Sequence, residues 1–276
     1  MRITSIGLYS SKGVEIANLS FRDPGSLNPY IAKNITGLDA DEIVPRFYGL
    51  STEKNKYFDL SIPSREIVLN IVLNPMFGNA EKSYSDLRDD IYKSLAASRT
   101  GIMQLRFYDG DEERAVLSGF VTKMEYPHFS DAAPEIQLSL RCEDPMLRSR
   151  ETVSLRGSAS EISTLEVVDS TAPHGFKFQI TFVSWQSSFS IKDPNGEWSF
   201  DVNPETGFQP GDHLVFSSET GNKELNMIRT YQVTHLVDKI GKGSIWPQLF
   251  PGINKFKHPV GITWNYITYY PTYWGI

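Results

Sequence analysis

The chain has 276 residues, 40% of them apolar, a formal net charge of −6 and a single cysteine, Cys142. That length is generous for one domain and comfortable for two, each able to bury a core. Scattered charge and an acidic balance argue against a nucleic-acid binder, which carries a basic patch. A lone cysteine excludes an intramolecular disulfide. No window approaches the ~20 apolar residues of a membrane-spanning helix, and the first residues lack the apolar run of a signal peptide. The expectation is a soluble protein, made and assembled in the cytoplasm, with no membrane insertion.

Residues 14–21 read as a strand, stopped by Asp23-Pro24-Gly25, a turn signal. Residues 26–58 show weak periodicity and are long for a connection inside a compact domain. They read either as an arm ordered by a partner or as a loop folded onto its own sheet. The stretch from Arg65 to Pro145 is better patterned. In residues 66–74, Ile67, Leu69, Ile71 and Leu73 share one face, and Val68 and Val72 lie on the other. A helix is predicted over 83–98. Ser83 and Asp86 form its S-x-x-D start, Tyr84, Leu87, Ile91 and Leu95 form its apolar stripe, and its acids fall early, where the macrodipole favours them. Met103, Leu105 and Phe107 follow, then a turn at Asp109-Gly110, a long strand over 114–126, and a last strand Glu135–Cys142 with Ile136, Leu138, Leu140 and Cys142 on one side. Period-two alternation means one buried and one wet face. The reading is an antiparallel sheet covered by a single helix, with Cys142 a buried structural thiol.

Residues 146–161 are polar, with Arg148, Arg150 and Arg156, and read as the passage into a second domain. Beyond them the pattern is all strand and turn. Phe176, Phe178, Ile180 and Phe182 alternate with polar residues, and Asp193-Pro194-Asn195-Gly196 separates Phe189 and Ile191 from Trp198, Phe200 and Val202, a hairpin signal. Leu214 and Phe216, then Leu225 and Met227, flank a turn at Gly221, and residues 261–270 form a last strand with Ile262, Trp264 and Tyr266 on one face. Short strands at regular spacing without a helix signal predict a two-sheet sandwich. The fold class is therefore mainly β in both domains, divided as 1–147 and 148–276.

No catalytic, cofactor or metal residue emerges. His128, His174, His213, His235 and His258 are not at metal-ligand spacing with another His, Cys or acid. The run from Asp109 to Glu113 lacks the alternating ligands of a calcium loop. Nucleophile-elbow, P-loop and dinucleotide motifs do not occur. Carboxylate pairs for glycoside cleavage are placed by the fold and leave no spacing to read. The C-terminal half carries Trp185, Trp198, Trp246, Trp264 and Trp274, and Tyr269, Tyr270 and Tyr273 cluster with Trp274 around Pro271. Exposed aromatics can stack on sugar rings, whereas alternating ones build a core. Trp198 and Trp264 fall within alternation and read as core. Tyr269, Tyr270, Tyr273 and Trp274 either pack the last strand or face a glycan or protein partner.

Three phrases in this order resemble the distal tail protein family of long-tailed bacteriophages. The first is the early NPYIAKNITGLDADE. The second is the run from Arg65 through the helix to a closing Cys-x-Asp-Pro, here Cys142, Asp144 and Pro145. The third is a Leu-x-Pro-Gly-x-Asn turn before the final strand, here Leu249, Pro251, Gly252 and Asn254. The resemblance spans nearly the whole chain. It implies an N-terminal domain that closes a homohexameric ring at the end of the tail tube, joins the tube to the hub and continues the DNA channel. It also implies a C-terminal galectin-like or carbohydrate-module-like β-sandwich on the outside of that ring.

The implied partners are the protein itself, the tail tube protein and the tail hub or tail-fibre protein, with the tape measure and receptor-binding proteins as further contacts and no specific nucleic-acid sequence. The implied location is the virion tail tip, reached after assembly in the host cytoplasm. Such a role is structural, without catalysis or cofactor, and strand edges flanking residues 66–74 or 135–142 could supply the subunit contacts. The alternative is a carbohydrate-binding adsorption protein that contacts host glycans through its C-terminal sandwich. No galectin set of His, Asn, Arg and Trp is recognisable at the family's spacing.

Overall fold

The computed structural model describes residues 3–21, 28–39, 44–48, 56–61, 64–76, 82–96, 101–125 and 134–275. The protein is mainly β, and its one α-helix among the described residues lies in the N-terminal half. The chain divides into two compact units. Met1–Arg150 with Tyr273–Ile276 form the first, and Glu151–Thr272 the second.

The first unit contains β1 (Ser5–Tyr9), β2 (Glu15–Phe21), β3 (Tyr30–Thr36), β4 (Val44–Tyr48), β5 (Lys56–Ser61), β6 (Arg65–Leu73), α1 (Tyr84–Ala96), β7 (Met103–Asp109), β8 (Glu112–Glu125), β9 (Glu135–Cys142) and β10 (Leu147–Arg148). Its main sheet runs β8-β7-β1-β2-β3-β6-β9, and β8 pairs again with β9, so the sheet closes into a barrel. Closure depends on the length of β8. Its first half, through Gly119, pairs with β7, and Phe120–Glu125 pair with β9 past a bulge after Val121. A bulge bends and twists a strand, which lets one strand serve both neighbours. Antiparallel pairing prevails, but β2 and β3 run parallel over a short overlap, Leu19↔Tyr30 to Phe21↔Ala32.

Strand β3 corrects the weak-periodicity reading of residues 26–58, since Tyr30–Thr36 are barrel wall. Its register shifts between Ala32 and Asn34, and that irregularity blurs a period-two pattern. Closure corrects a second expectation. Strand β6 pairs with β3 and β9, and β9 pairs with β6 and β8. Neither therefore offers a free edge to a neighbour. Strands β4 and β5 form a separate two-stranded sheet outside the barrel.

The barrel core is aliphatic. Ile6, Leu8, Leu19, Ile67, Leu69, Ile71, Leu105, Leu117, Ile136, Leu138 and Leu140 are buried with Leu87, Ile91 and Leu95 of α1. The helix start behaves as a reciprocal cap. The Asp86 carboxylate accepts from the Ser83 hydroxyl (2.6 Å) and backbone N–H (3.1 Å), while Ser83 Oγ accepts from the Asp86 N–H (3.1 Å). Tyr30 of β3 donates its hydroxyl to the Leu87 carbonyl at 3.0 Å, pinning helix to wall.

The second unit contains β11 (Val153–Leu155), β12 (Ile162–Val167), β13 (Lys177–Phe182), β14 (Phe189–Lys192), β15 (Ser199–Val202), β16 (His213–Ser217), β17 (Glu224–Arg229), β18 (Gln232–His235), β19 (Gly252–Lys257) and β20 (Ile262–Tyr269). One sheet is ordered β11-β20-β13-β16-β17-β18, the other β12-β19-β14-β15. Side chains from both sheets enter one core dominated by Phe176, Phe178, Phe182, Phe189, Phe200, Phe208, Phe216 and Phe256. A last short strand, β21 (Thr272–Tyr273), takes its place beside β10 in the first unit's sheet.

Strand β20 departs from simple alternation. Ile180 pairs with Trp264 and Gln179 with Tyr266, which leaves Asn265 as an extra residue. A bulge flips the faces beyond it. Ile262 and Trp264 thus point to the core before it, Ile267 and Tyr269 after it, and Tyr266 faces solvent. The expectation that Tyr266 shares the face of Ile262 and Trp264 is corrected accordingly.

Candidate assembly and contact surfaces

The phrase that closes β9 is a structural device. Cys142 is buried, and burial pushes its thiol up to about 11 although the nearby Arg65 charge works in the opposite sense. A thiol held protonated is a poor nucleophile. Its sulfur fills space that only a glycine on β8 leaves open, because a Cβ on Gly119 would lie 2.7 Å from Cys142 Sγ and 2.9 Å from the Arg141 carbonyl. Asp144 then turns the chain. One carboxylate oxygen accepts from the Met146 N–H (3.2 Å) and the other from the Arg148 guanidinium (2.6 Å). Pro145 between them is buried. These three residues shape the exit from the barrel.

The Leu-x-Pro-Gly-x-Asn phrase is likewise a built turn. Leu249 is fully buried and its backbone bridges to His174. Gly252 takes a positive φ of 92°. The Asn254 side chain closes the loop, accepting from the Phe250 N–H (2.8 Å) and donating to the Phe250 (2.7 Å) and Gly252 (3.1 Å) carbonyls. A side-chain amide has both a donor and an acceptor, which a carboxylate lacks.

The aromatic cluster near the C-terminus is distributed. Tyr269 is fully buried in the second unit's core, stacked on His174 with ring centroids 4.7 Å apart. It is therefore unavailable for a surface contact, and the bulge in β20 is the reason. Tyr270 is half-buried. Tyr273 packs against the core of the first unit. The Trp274 carbonyl accepts from Arg65, whose guanidinium also donates to the Leu38 carbonyl at 2.7 Å. Arg65 is itself buried, and these two carbonyls help to satisfy its charged donors. Tyr273 and Trp274 thus complete the first unit.

Two buried polar clusters in the second unit invite a chemical reading. Ser163 Oγ lies 2.9 Å from His258 Nε2. The Pro259 carbonyl sits 3.0 Å from Nδ1 and can only accept, so Nδ1 carries the proton and Nε2 faces the serine. Burial lowers the His258 pKa. The pair has the atoms of a serine nucleophile and its base, but Ser163 is wholly buried and its oxygen is also tied to the Ser158 N–H at 2.9 Å. It anchors the chain entering the unit. In the other cluster, Asp212 is 3% exposed and takes three bonds from Arg229 Nε and Nη2, the shortest 2.6 Å, and one from the Gln209 N–H at 2.7 Å. Burial works to raise the Asp212 pKa, but the Arg229 hydrogen bonds outweigh it and hold the carboxyl below its ordinary range.

Among the described residues no group of three or more His, Cys, Asp or Glu is placed to hold a metal ion. No described helix is long and apolar enough to cross a membrane. What the surface offers instead is the edge strand β18, with all four side chains exposed, and a small set of exposed aromatics.

The whole chain has the fold of a phage tail-hub protein. It superposes on the crystal structure of the SPP1 Dit (gp 19.1) protein, described as a paradigm of the hub adsorption apparatus in phages infecting Gram-positive bacteria. The TM-score is 0.61 at 14% sequence identity, over 97% of this chain and 98% of that one. Chains of the phage p2 baseplate in its activated conformation also align along their length, more loosely. The strontium form gives a TM-score of 0.42 at 7% identity over 96% and 97% of the two chains, and the calcium form 0.44 at 6% over 97% and 97%. No protein-family model matches the sequence, and no curated protein matches it.

Proposed function

We propose that this chain is a structural subunit of the distal end of a phage tail. Residues 1–147 form the ring-building domain, and six copies close a ring that joins the tail tube to the hub and continues the DNA channel. Residues 148–276 form a galectin-like sandwich outside the ring that docks adsorption proteins. Tube protein, hub or fibre protein, tape measure and receptor-binding proteins are its neighbours. It works at the virion tail tip after assembly in the host cytoplasm, and it catalyses nothing.

One observation carries this reading: the superposition on the SPP1 Dit protein covers both units in a single alignment, almost end to end. Two features are consistent with it. The second unit's two sheets share one core, as a sandwich requires. A ring also needs heterologous contacts that close, and the sealed barrel moves these away from strand edges to its outer face and to the β4–β5 sheet. A two-stranded sheet is marginal in water on its own, so a neighbouring subunit is a fitting support for it.

Light scattering on a sizing column, followed by negative-stain imaging, tests the reading. A particle of six subunits with a central hole is expected. A monomer at every concentration, both alone and co-expressed with a tail tube protein, would overturn it. The second reading, contact with host glycans, has the exposed indole of Trp185 in its favour.

A further inference from the structure

Four of the five tryptophans are accounted for by packing. Trp198, Trp246 and Trp264 lean on the second unit's core, and Trp274 lies half-buried in the first unit. Trp185 is different, with 62% of its surface exposed. An indole on a loose loop would mean little. The loop that carries this one is pinned on both sides of it by four hydrogen bonds. The Gln186 N–H donates to the Phe208 carbonyl (2.9 Å), and the Phe208 N–H donates back to Gln186 (2.7 Å). The Gln186 side chain donates to the Val260 carbonyl (2.5 Å), and the Val183 N–H to the Gly261 carbonyl (2.8 Å).

The ground beneath the ring is equally fixed. Gly207 has φ +62°, and a Cβ there would lie 2.8 Å from the Gln186 carbonyl, 3.2 Å from indole Nε1 and 3.3 Å from Cζ2. The ring therefore rests where only glycine fits. Arg229 donates to the Gly207 carbonyl (2.9 Å) and to Thr206 Oγ1 (3.3 Å) while it is clamped by the buried Asp212, so an ion pair holds the support. A water-facing indole held this firmly is preorganised for a ligand, since the ordering cost of binding has already been met in folding.

We propose that Trp185 is a stacking platform for a saccharide ring. Hydrophobic size separates this from a protein anchor. Besides the indole, the exposed apolar residues of this loop and its bonded neighbour are Val183 and Val260. Protein interfaces bury about 800 Å² on each side around an apolar core, whereas a pyranose offers one small C–H face. Ser184 and Ser187 of this loop and Thr206 of the one beside it expose hydroxyls, and the carboxylate of the neighbouring Glu205 is paired with Lys239 at 2.8 Å. These hydroxyls suit the hydroxyl rim of a sugar. The site lies entirely within the second unit and does not depend on the ring reading, so its failure leaves that reading untouched.

The test uses the full-length chain on a glycan array, followed by titration of the indole N–H resonances with methyl glycosides of glucose, galactose and N-acetylglucosamine. A single-ring platform binds in the millimolar range, about −4 kcal/mol. Saturable binding that shifts the Trp185 indole resonance, and that weakens about tenfold or more in Trp185→Ala while Trp185→Phe retains part of it, is the expected result. An exposed-aromatic control, Tyr231→Ala, leaves it unchanged. Binding to no saccharide at about 10 mM, or binding that survives Trp185→Ala, overturns the proposal. So does loss of a tail-protein contact in Trp185→Ala without any saccharide binding by the parent chain.

Discussion

The two units bury their apolar surface by opposite means. The first wraps one sheet into a barrel around branched aliphatic side chains, with Phe107 the one fully buried phenylalanine among the described residues. The second leaves two sheets open and fills the space between them with stacked rings. Phe178 and Phe216 lie 4.6 Å apart, Phe182 and Phe208 4.2 Å, and Phe176 and Phe256 5.6 Å. Closure gives every strand of the barrel wall a neighbour on both sides, while open sheets must manage their edges. Strand β15 is covered by the Gly241 and Ile245 N–H groups, which donate to its Asp201 and Ser199 carbonyls; β18 is left bare. The barrel is therefore built to be inert along its edges, and the second unit keeps places where contact is possible.

The sharpest way to break this comparison is through the cores. Phe216 touches Phe176, Phe178, Phe200 and Trp246. Phe216→Ala is expected to cost about 3–5 kcal/mol. Leu138→Ala in the barrel falls in the range of about 2–5 kcal/mol for aliphatic truncation, and the smaller side chain should place it lower. Urea unfolding of both variants decides the order; a barrel variant that loses more would mean that ring stacking does not concentrate stability in the second unit.

Next in size is the clamp. Arg229→Ala leaves the Asp212 carboxylate buried without its cation and should cost about 3 kcal/mol. The sign with pH is fixed by the lowered carboxyl. With Arg229 present, Asp212 contributes stability above the unfolded pKa of about 4, and that contribution is lost as pH falls through its lower folded value. In the variant the carboxylate is destabilising, so acidification should narrow the gap between variant and parent. A gap that widens between pH 6 and pH 4 (round values about the carboxyl range) would show that the charge pair is not what holds the loop. The smallest effect belongs to the helix cap. Ser83→Ala should cost about 1 kcal/mol, seen as a modest drop in the urea midpoint with an unchanged slope.

Legibility in the sequence followed regularity. Strand β9 and the α1 stripe could be read because their buried residues recur at strict periods of two and of three to four, and the Ser83–Asp86 cap obeyed a local rule. The Asn195-Gly196 turn was equally plain, and Gly196 does take a positive φ of 78°. What could not be read were departures from period. A shift beside Asn34 hid β3, and the bulge at Asn265 reversed Tyr266 and Tyr269. Barrel closure depends on β8 meeting β9 far from where it meets β7, which no window of sequence contains. The same holds for Trp185. Its support comes from Gly207, Arg229 and Val260, distant in the chain, and the only local sign was a tryptophan outside any alternating run.

The return of residues 273–275 to the first unit has a consequence for how such a chain can be altered. The second unit is spliced into the first rather than appended to it. Its entrance and exit are neighbours, since Val153 pairs with Tyr269. A fragment cut at residue 150 would thus lack part of its own body: Tyr273 would leave its core, and Arg65 would lose the Trp274 carbonyl. A cassette exchanged between residues 151 and 272 would keep both. Evolution can therefore replace the inserted unit wholesale while the barrel retains both of its own ends, and an engineer who wants the barrel alone should loop out the insert instead of truncating the chain.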